Sequence, residues 1–242
     1  MAVTPTSVAP GSGRHRAPLL LAILACLLGG IAVVLLYQLD VFRGSSSSTT
    51  EGSGVAATQV RHVPEFDRVE LAGSNNLVVR VGGTQAVVVR GDDNLLDRVT
   101  TTVRSRSLVV GSTPGGFTAH SPTSVDVTVP ALEAVSLTGS GTVVIDGFEG
   151  KSLGVSLPGS GTFTGTGSAT RLDVMVSGSG TAQFTRLVAE DVHAVVSGSG
   201  SVFVTATAML DAQVSGTGSI LYAGHPRDVV RRVTGTGAIA GG

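Results

Sequence analysis

Tryptophan is absent from this chain and tyrosine occurs only twice, so aromatic residues make up 4% of its 242 positions. A core built from Val, Leu, Ile and Ala must then be thin, because little bulk is available to fill a wide interior. The single cysteine, Cys26, excludes an internal disulfide framework and a cysteine-based metal site. Charge is scarce as well: charged residues are 14% and the formal net charge is −1. That balance supplies neither a basic surface for a nucleic acid nor an acidic tail. Lys151 is the lone lysine against fifteen arginines, which fits a GC-rich bacterial genome. Residues 63–242 also lack any apolar stripe at helical spacing.

One long apolar run is present. Eighteen residues from Leu19 to Leu36 carry no charge, and the run continues to Leu39. About 20 residues at ~1.5 Å rise span a ~30 Å hydrocarbon core. Arg14 and Arg16 precede the run and only Arg43 closely follows it, which predicts a cytoplasmic N-terminus and an exported remainder. A cleaved signal peptide has a shorter apolar core, and Gln38 to Phe42 offers no small-residue cleavage site. Ile23-Leu24-Ala25-Cys26 is an imperfect lipobox, but the residues after Cys26 stay apolar to Leu36. The sequence thus predicts a cytoplasmic tail at 1–17, a transmembrane helix at 18–39, a flexible linker at 40–62 and an extracytoplasmic domain at 63–242. The linker expectation rests on Arg43 to Thr58, a Ser/Thr/Gly-rich stretch that cannot bury enough surface to offset its ordering entropy.

Glycine is abundant, with 34 residues, and much of it is periodic. The tripeptide Gly-Ser/Thr-Gly recurs at Gly139–Gly141, Gly159–Gly161, Gly178–Gly180, Gly198–Gly200, Gly216–Gly218 and Gly235–Gly237. Successive first glycines are 20, 19, 20, 18 and 19 residues apart. Before each tripeptide apolar residues alternate, as in Leu153, Val155, Leu157 and Leu172, Val174, Val176. After it a second alternating pair follows, as in Val143 and Ile145 or Val202 and Val204. Strict alternation is the mark of a strand with one buried face. Each period therefore reads as strand, glycine corner, strand, turn.

This pattern predicts an all-β right-handed parallel β-helix, with coils stacked about 4.8 Å apart and each coil burying its neighbour's inward face. Extrapolated over 63–242 it gives about nine coils of roughly 19–20 residues. The twelve glycines are expected at corners that need positive φ. The middle residues, Ser140, Ser160, Ser179, Ser199, Thr217 and Thr236, are expected to stack as a hydroxyl ladder. Residues 131–242 form the regular coils. Residues 63–130 contain six short strand patterns between turn signals and are expected to add about three irregular coils. At the far end Arg231 stands where Ala212 stands one period earlier, which predicts a polar terminal cap.

The stretch Phe66-Asp67-Arg68-Val69-Glu70-Leu71, then Gly91-Asp92-Asp93-Asn94-Leu95-Leu96, then the serial Gly-Ser-Gly units resemble the bacterial "putative auto-transporter adhesin head, GIN domain" family, from Val63 to Tyr222. The resemblance implies a β-helix on the cell exterior and supplies no catalytic residues. The usual Gly-Ser-Gly is replaced at one place by Gly73-Ser74-Asn75-Asn76. No series of ~10-residue amphipathic strands for an outer-membrane barrel is visible, so self-transport is not expected.

Aligning the repeats places outward residues in columns. Asp173, His193 and Asp211 form one, a candidate for weak divalent-metal binding or acid–base work, set against a solvated face of modestly paired charges. Val144, Thr164, Gln183, Phe203 and Leu221 form another, in which Val144, Phe203 and Leu221 make a candidate contact patch for self-association. His62, His120 and His225 have no ligand-like spacing, and no serine sits in a hydrolase elbow. No catalytic residue and no cofactor are predicted. The expected function is a membrane-anchored, non-catalytic module of the bacterial envelope that contacts polysaccharide or protein. A ligand-free structural scaffold and a glycan-active enzyme are the alternatives.

Overall fold

A computed structural model describes residues 49–242. The expected cytoplasmic tail, the transmembrane helix and the first part of the linker lie outside these residues. Among the described residues no helix is long and apolar enough to cross a membrane. The described residues are all-β apart from one 3-10 turn at Leu96–Arg98. Its strands are β1 (Thr50–Glu51), β2 (Ala56–Arg61), β3 (Arg68–Leu71), β4 (Asn76–Val81), β5 (Ala86–Asp92), β6 (Val99–Arg104), β7 (Ser107–Ser112), β8 (Phe117–Thr118) and β9 (Ser124–Val129). Then come β10 (Ala134–Leu137), β11 (Thr142–Leu157), β12 (Thr162–Val176), β13 (Thr181–Val196), β14 (Ser201–Gly216), β15 (Ser219–Ala223), β16 (Asp228–Gly235) and β17 (Ala238–Gly241).

From β10 onward the chain winds as a parallel β-solenoid of about five turns, fewer than the nine coils that extrapolating the period over 63–242 predicts, because the first third of that range does not coil. Each long strand turns a corner, so its two ends lie on different sheets. The first sheet stacks β10, the ends of β11, β12, β13 and β14, and finally β16. The second stacks the beginnings of β11 to β14, then β15 and β17. The glycine tripeptides link the first sheet to the second. Irregular register falls on the return side, between Ile145 and Phe148, Thr164 and Thr166, and Phe184 and Asp191. Bulges there absorb the variation in period, and the two sheets and the corner stay in step.

Alternating residues of both sheets fill the interior, as the binary pattern requires. Large and small residues complement one another between coils. Phe163 stacks on Ala182, and Gly165 leaves the space that the Phe184 ring fills: a Cβ at Gly165 would stand 2.4 Å from that ring. The two rings sit 6.3 Å apart at 33°, an arrangement favoured for aromatic pairs.

The glycine corners line up along one edge, but not because of positive φ. Of the twelve corner glycines only Gly235 has it, at 119°. Close approach is the cause. A Cβ on Gly159 would lie 2.1 Å from the Gly139 carbonyl oxygen, one on Gly178 2.0 Å from that of Gly159, and one on Gly198 2.3 Å from that of Gly178. The second glycines repeat the contact, as with Gly161 at 2.3 Å from the oxygen of Gly141. Backbone amides bond across the same gap: Ser160 N–H donates to Gly139 at 3.2 Å and Thr162 N–H to Gly141 at 3.0 Å. The expected hydroxyl ladder does not form at the tripeptide centre, where Ser140, Ser160, Ser179, Ser199 and Thr217 are exposed. An inter-coil hydroxyl contact occurs two residues later, between Ser201 and Ser219 at 3.2 Å.

Residues 63–130 do not add three successive coils. Their strands are those the alternation predicts, but their order in space departs from chain order. β3 and β4 sit beside β10 and β11, and β7 and β9 lie outside them. β6 pairs antiparallel with β7, and β5 antiparallel with β9. The reason is the connections: β6 and β7 are joined by only Ser105 and Arg106, at φ 48° and 62°, a tight hairpin turn that reverses the chain. A parallel coil needs a longer return. Arg106 closes the turn on buried Asp67, with N···O at 2.6 Å.

The later part of the expected linker is ordered too. β2 pairs antiparallel with β5, and Arg61 donates to the carbonyl of Leu96 at 2.8 Å. Inward Gln59 and Arg61 are polar, so this strand carries no apolar alternation for a sequence reading to find. Asp92, fully buried, ties the segment down. It accepts backbone bonds from His120 at 2.7 Å and Ser121 at 3.0 Å. The Ser121 side chain, with the His120, Ser121 and Gly54 amides, holds its carboxyl below the usual range against the opposing effect of burial.

Two outcomes follow from these contacts. In urea unfolding of residues 49–242, Gly178→Ala should cost about 3 kcal/mol through overpacking, while Gly154→Ala, with its nearest neighbour at 3.5 Å, stays within about 0.5 kcal/mol. Asp92 has a lower pKa folded than unfolded, so its contribution is complete above about pH 4 and is lost as pH falls through the depressed value. Asp92→Asn should lower Tm by several degrees at pH 7, with the gap to wild type narrowing below about pH 4.

Candidate functional site

Outward side chains of the first sheet stand in two columns set by its register. One runs Ser107, Arg68, Ala134, Gly154, Asp173, His193, Asp211. Its neighbour runs Val109, Glu70, Ser136, Ser156, Met175, Val195, Gln213. At the middle coils both columns carry only Ala, Gly or Ser, and the surface sinks into a trough of about 340 Å³. Ala134, Gly154, Ser136 and Ser156 make its floor. Arg68 and Glu70 rise at one end, with Arg68 paired to Glu133 at 3.0 Å. Met175, Val195, Asp173 and His193 close the other, and the Met175 side chain is half exposed. The trough runs across stacked strands, along the solenoid axis.

The expected Asp173, His193, Asp211 column is assembled as the repeat alignment predicts, on three adjacent coils. Its carboxylates already have partners. Arg171 grips Asp173 through Nε at 2.9 Å and Nη2 at 2.9 Å. Arg232 bonds Asp211 at 3.0 Å, and His193 Nδ1 lies 3.6 Å from the same carboxylate. Both arginines come from positions beside the column, Arg171 two residues from Asp173 and Arg232 one coil beyond Gln213. Among the described residues no set of three or more His, Cys, Asp or Glu is arranged to hold a metal ion. Asp173 and His193 therefore read as a charged end of the trough, with Asp211 one coil beyond it.

The expected contact patch divides. Phe203 and Leu221 are direct neighbours on the second sheet, but Val144 is separated from them by Thr164 and Gln183 and lies beside Val78 instead. The trough floor escaped the sequence reading, which sought chemistry-bearing side chains. The usable signal was the reverse: outward positions occupied by Ala134, Gly154, Ser136 and Ser156 on consecutive coils.

A second, more polar cavity of about 700 Å³ lies at the N-terminal end, between Gly73–Asn76 and the 115–123 loop. Buried Asn75 lines it and donates to Ser112 Oγ at 3.2 Å.

Because arginines occupy both carboxylates of the column, excess zinc should leave the Tm of residues 49–242 unchanged in thermal unfolding. A rise that vanishes in the Asp173→Ala, His193→Ala double variant would overturn that assignment.

Comparison with known proteins follows the same lines. Among curated proteins there is no match. A solved "putative adhesin" from Bacteroides fragilis superposes with a TM-score of 0.67 at 23% identity, over 79% of this chain and 99% of its own. At that identity the likeness establishes the fold. A "putative lipid binding protein" from Parabacteroides distasonis, at 17% identity, covers 81% of this chain and 100% of its own with a TM-score of 0.49. A "putative adhesin" from Parabacteroides merdae, also at 17%, covers 80% and 99% with a TM-score of 0.47. The family model described as "Putative auto-transporter adhesin, head GIN domain" matches residues 65–226, about two thirds of the sequence. With its stacked glycine corners and parallel solenoid, the chain belongs to that family.

Proposed function

We propose that this protein is a non-catalytic binding module of the bacterial envelope, anchored by its N-terminal apolar segment, and that the trough on the first sheet is its contact surface. The observation that carries the reading is the run of small outward residues bounded by charged and apolar ends. A rigid sheet with a shallow axial depression suits an extended polymer, a polysaccharide or a peptide strand, better than an enclosed small substrate. The Arg68–Glu133 pair and the Asp173–Arg171 pair at its two ends give such a polymer polar anchor points. Adhesin-like membership of the family supports an exposed location and a binding role. Eighteen uncharged residues from Leu19 to Leu36 support the anchor.

Gly154 provides the test. A side chain there meets only ordinary contacts, at 3.5 Å from Ala134 Cβ and 3.7 Å from the Glu133 carbonyl. Gly154→Tyr should therefore fill the trough while leaving Tm within a few degrees of wild type. Residues 49–242 should bind a component in a panel of envelope polysaccharides and peptides, and Gly154→Tyr should weaken that binding at least tenfold. Equal binding by the variant would remove the trough as the contact surface.

A further inference from the structure

The C-terminal end of the solenoid is built differently from its other end. β16 pairs with β14 on one side, and β17 with β15. Among the described residues nothing pairs with their outer edges. The residues of β16 in inward register, Val229, Arg231 and Val233, follow Leu210, Ala212 and Val214 of the coil below. Val229 and Val233 are 38% and 47% exposed, where their counterparts below are buried. Arg231 does not project from this end. Its guanidinium folds back over the Tyr222 ring, 5.1 Å from the centroid, and donates to the Tyr222 hydroxyl. The terminal surface is thus two valines, an arginine stem and the unpaired backbone of two strands, a ready template for another strand.

A second copy of this chain is the occupant whose pattern can be checked residue by residue. A twofold axis across the end would pair β16 with itself antiparallel, and matching faces require the axis to pass through a residue. Five such registers overlap the strand, centred on each residue from Val229 to Val233; centred on Val233, Arg231 meets Gly235 and Arg232 meets Thr234, so charges are neither opposed nor matched. Centred on Val229, Arg231 meets Arg227 of the other copy. Centred on Arg231 or on Arg232, that arginine meets itself. Like charges directly opposite are destabilising. Centred on Val230, outward Asp228 meets Arg232, Val230 meets itself, and inward Val229 packs on the Arg231 stem. This is the one register of the five that pairs opposite charges, and it does so twice, with no facing arginines. Asp228 has no ion-pair partner among the described residues, and Arg232, which bonds Asp211 through Nη1 at 3.0 Å, would offer its remaining guanidinium donors to Asp228 of the other copy.

We infer that the protein self-associates end to end through β16, as a twofold dimer centred on Val230. This surface is separate from the Phe203–Leu221 patch and from the trough. At the axis, residue 230 of the two copies would lie about 4.5–5.5 Å apart at Cα, within the range a disulfide spans.

The test uses the full chain in detergent with Cys26 replaced by Ser. Under mild oxidation Val230→Cys should form a covalent dimer. Val188→Cys, about as exposed at 43% but placed on β13 between β12 and β14, should not. Asp228→Arg in the Val230→Cys background should reduce cross-linking at least fivefold, and Asp228→Arg with Arg232→Asp should restore it. The inference is overturned if Val230→Cys stays monomeric, if it cross-links no more than Val188→Cys, or if the double charge exchange fails to restore the dimer.

Discussion

Carbonyl oxygens at one corner of the solenoid stand where a side chain on the next coil would have to be. This contact between the backbone of one glycine and the α-carbon of the next is the constraint on which the fold rests. Twelve glycines meet it, in pairs, from Gly139 to Gly237, and a Cβ at any of them would fall at or within about 2.5 Å of a backbone oxygen. Such an approach has no flexible partner to yield, because both sides are main chain. It locks the distance between the two sheets coil after coil. Inward layers of Val, Leu and Ala can therefore close over one another without tryptophan.

A fixed corner leaves variation to the opposite side. Periods of 18 to 20 residues are accommodated by bulges around 146–148, 165–166 and 185–190, away from both faces. Outward positions on the sheets are then free of structural duty, and their chemistry can change from coil to coil without disturbing the core. The trough uses that freedom. Ala134, Gly154, Ser136 and Ser156 lower the surface, while Arg171 neutralises Asp173, the carboxylate that borders it on the C-terminal side.

Both ends leave strand edges open: among the described residues β2 and β6 pair on one side only, as β16 and β17 do. At the start, antiparallel β5, β2 and β6 cover the solenoid, and buried Asp92 fastens the loops through backbone amides. At the finish, the inward register of β16 is itself exposed, with Val229 and Val233 on either side of an arginine drawn onto Tyr222. That exposed inward register is what singles out the C-terminal coil for contact between copies.

Much of this was legible in the sequence. Alternation located nearly every strand, the tripeptide spacing set the coil, and the columns on both sheets followed from counting, because side-chain direction in a strand has a period of two and stacked repeats preserve it. Arg231 could be placed at an inward position from alignment alone. Topology before residue 130 could not, since short alternating strands look the same whether they pair parallel or antiparallel, and only the two-residue turn at Ser105–Arg106 decides. The polar inward face of β2 hid a strand for the same reason. Sequence by itself determined the repeat, the buried faces and the glycine edge, all local consequences of side-chain size and alternation. Tertiary structure alone decided why the glycines are glycines, which arginines hold the carboxylates of the column, and that small residues on successive coils form a trough. Each of those depends on distances between coils that the chain order does not contain.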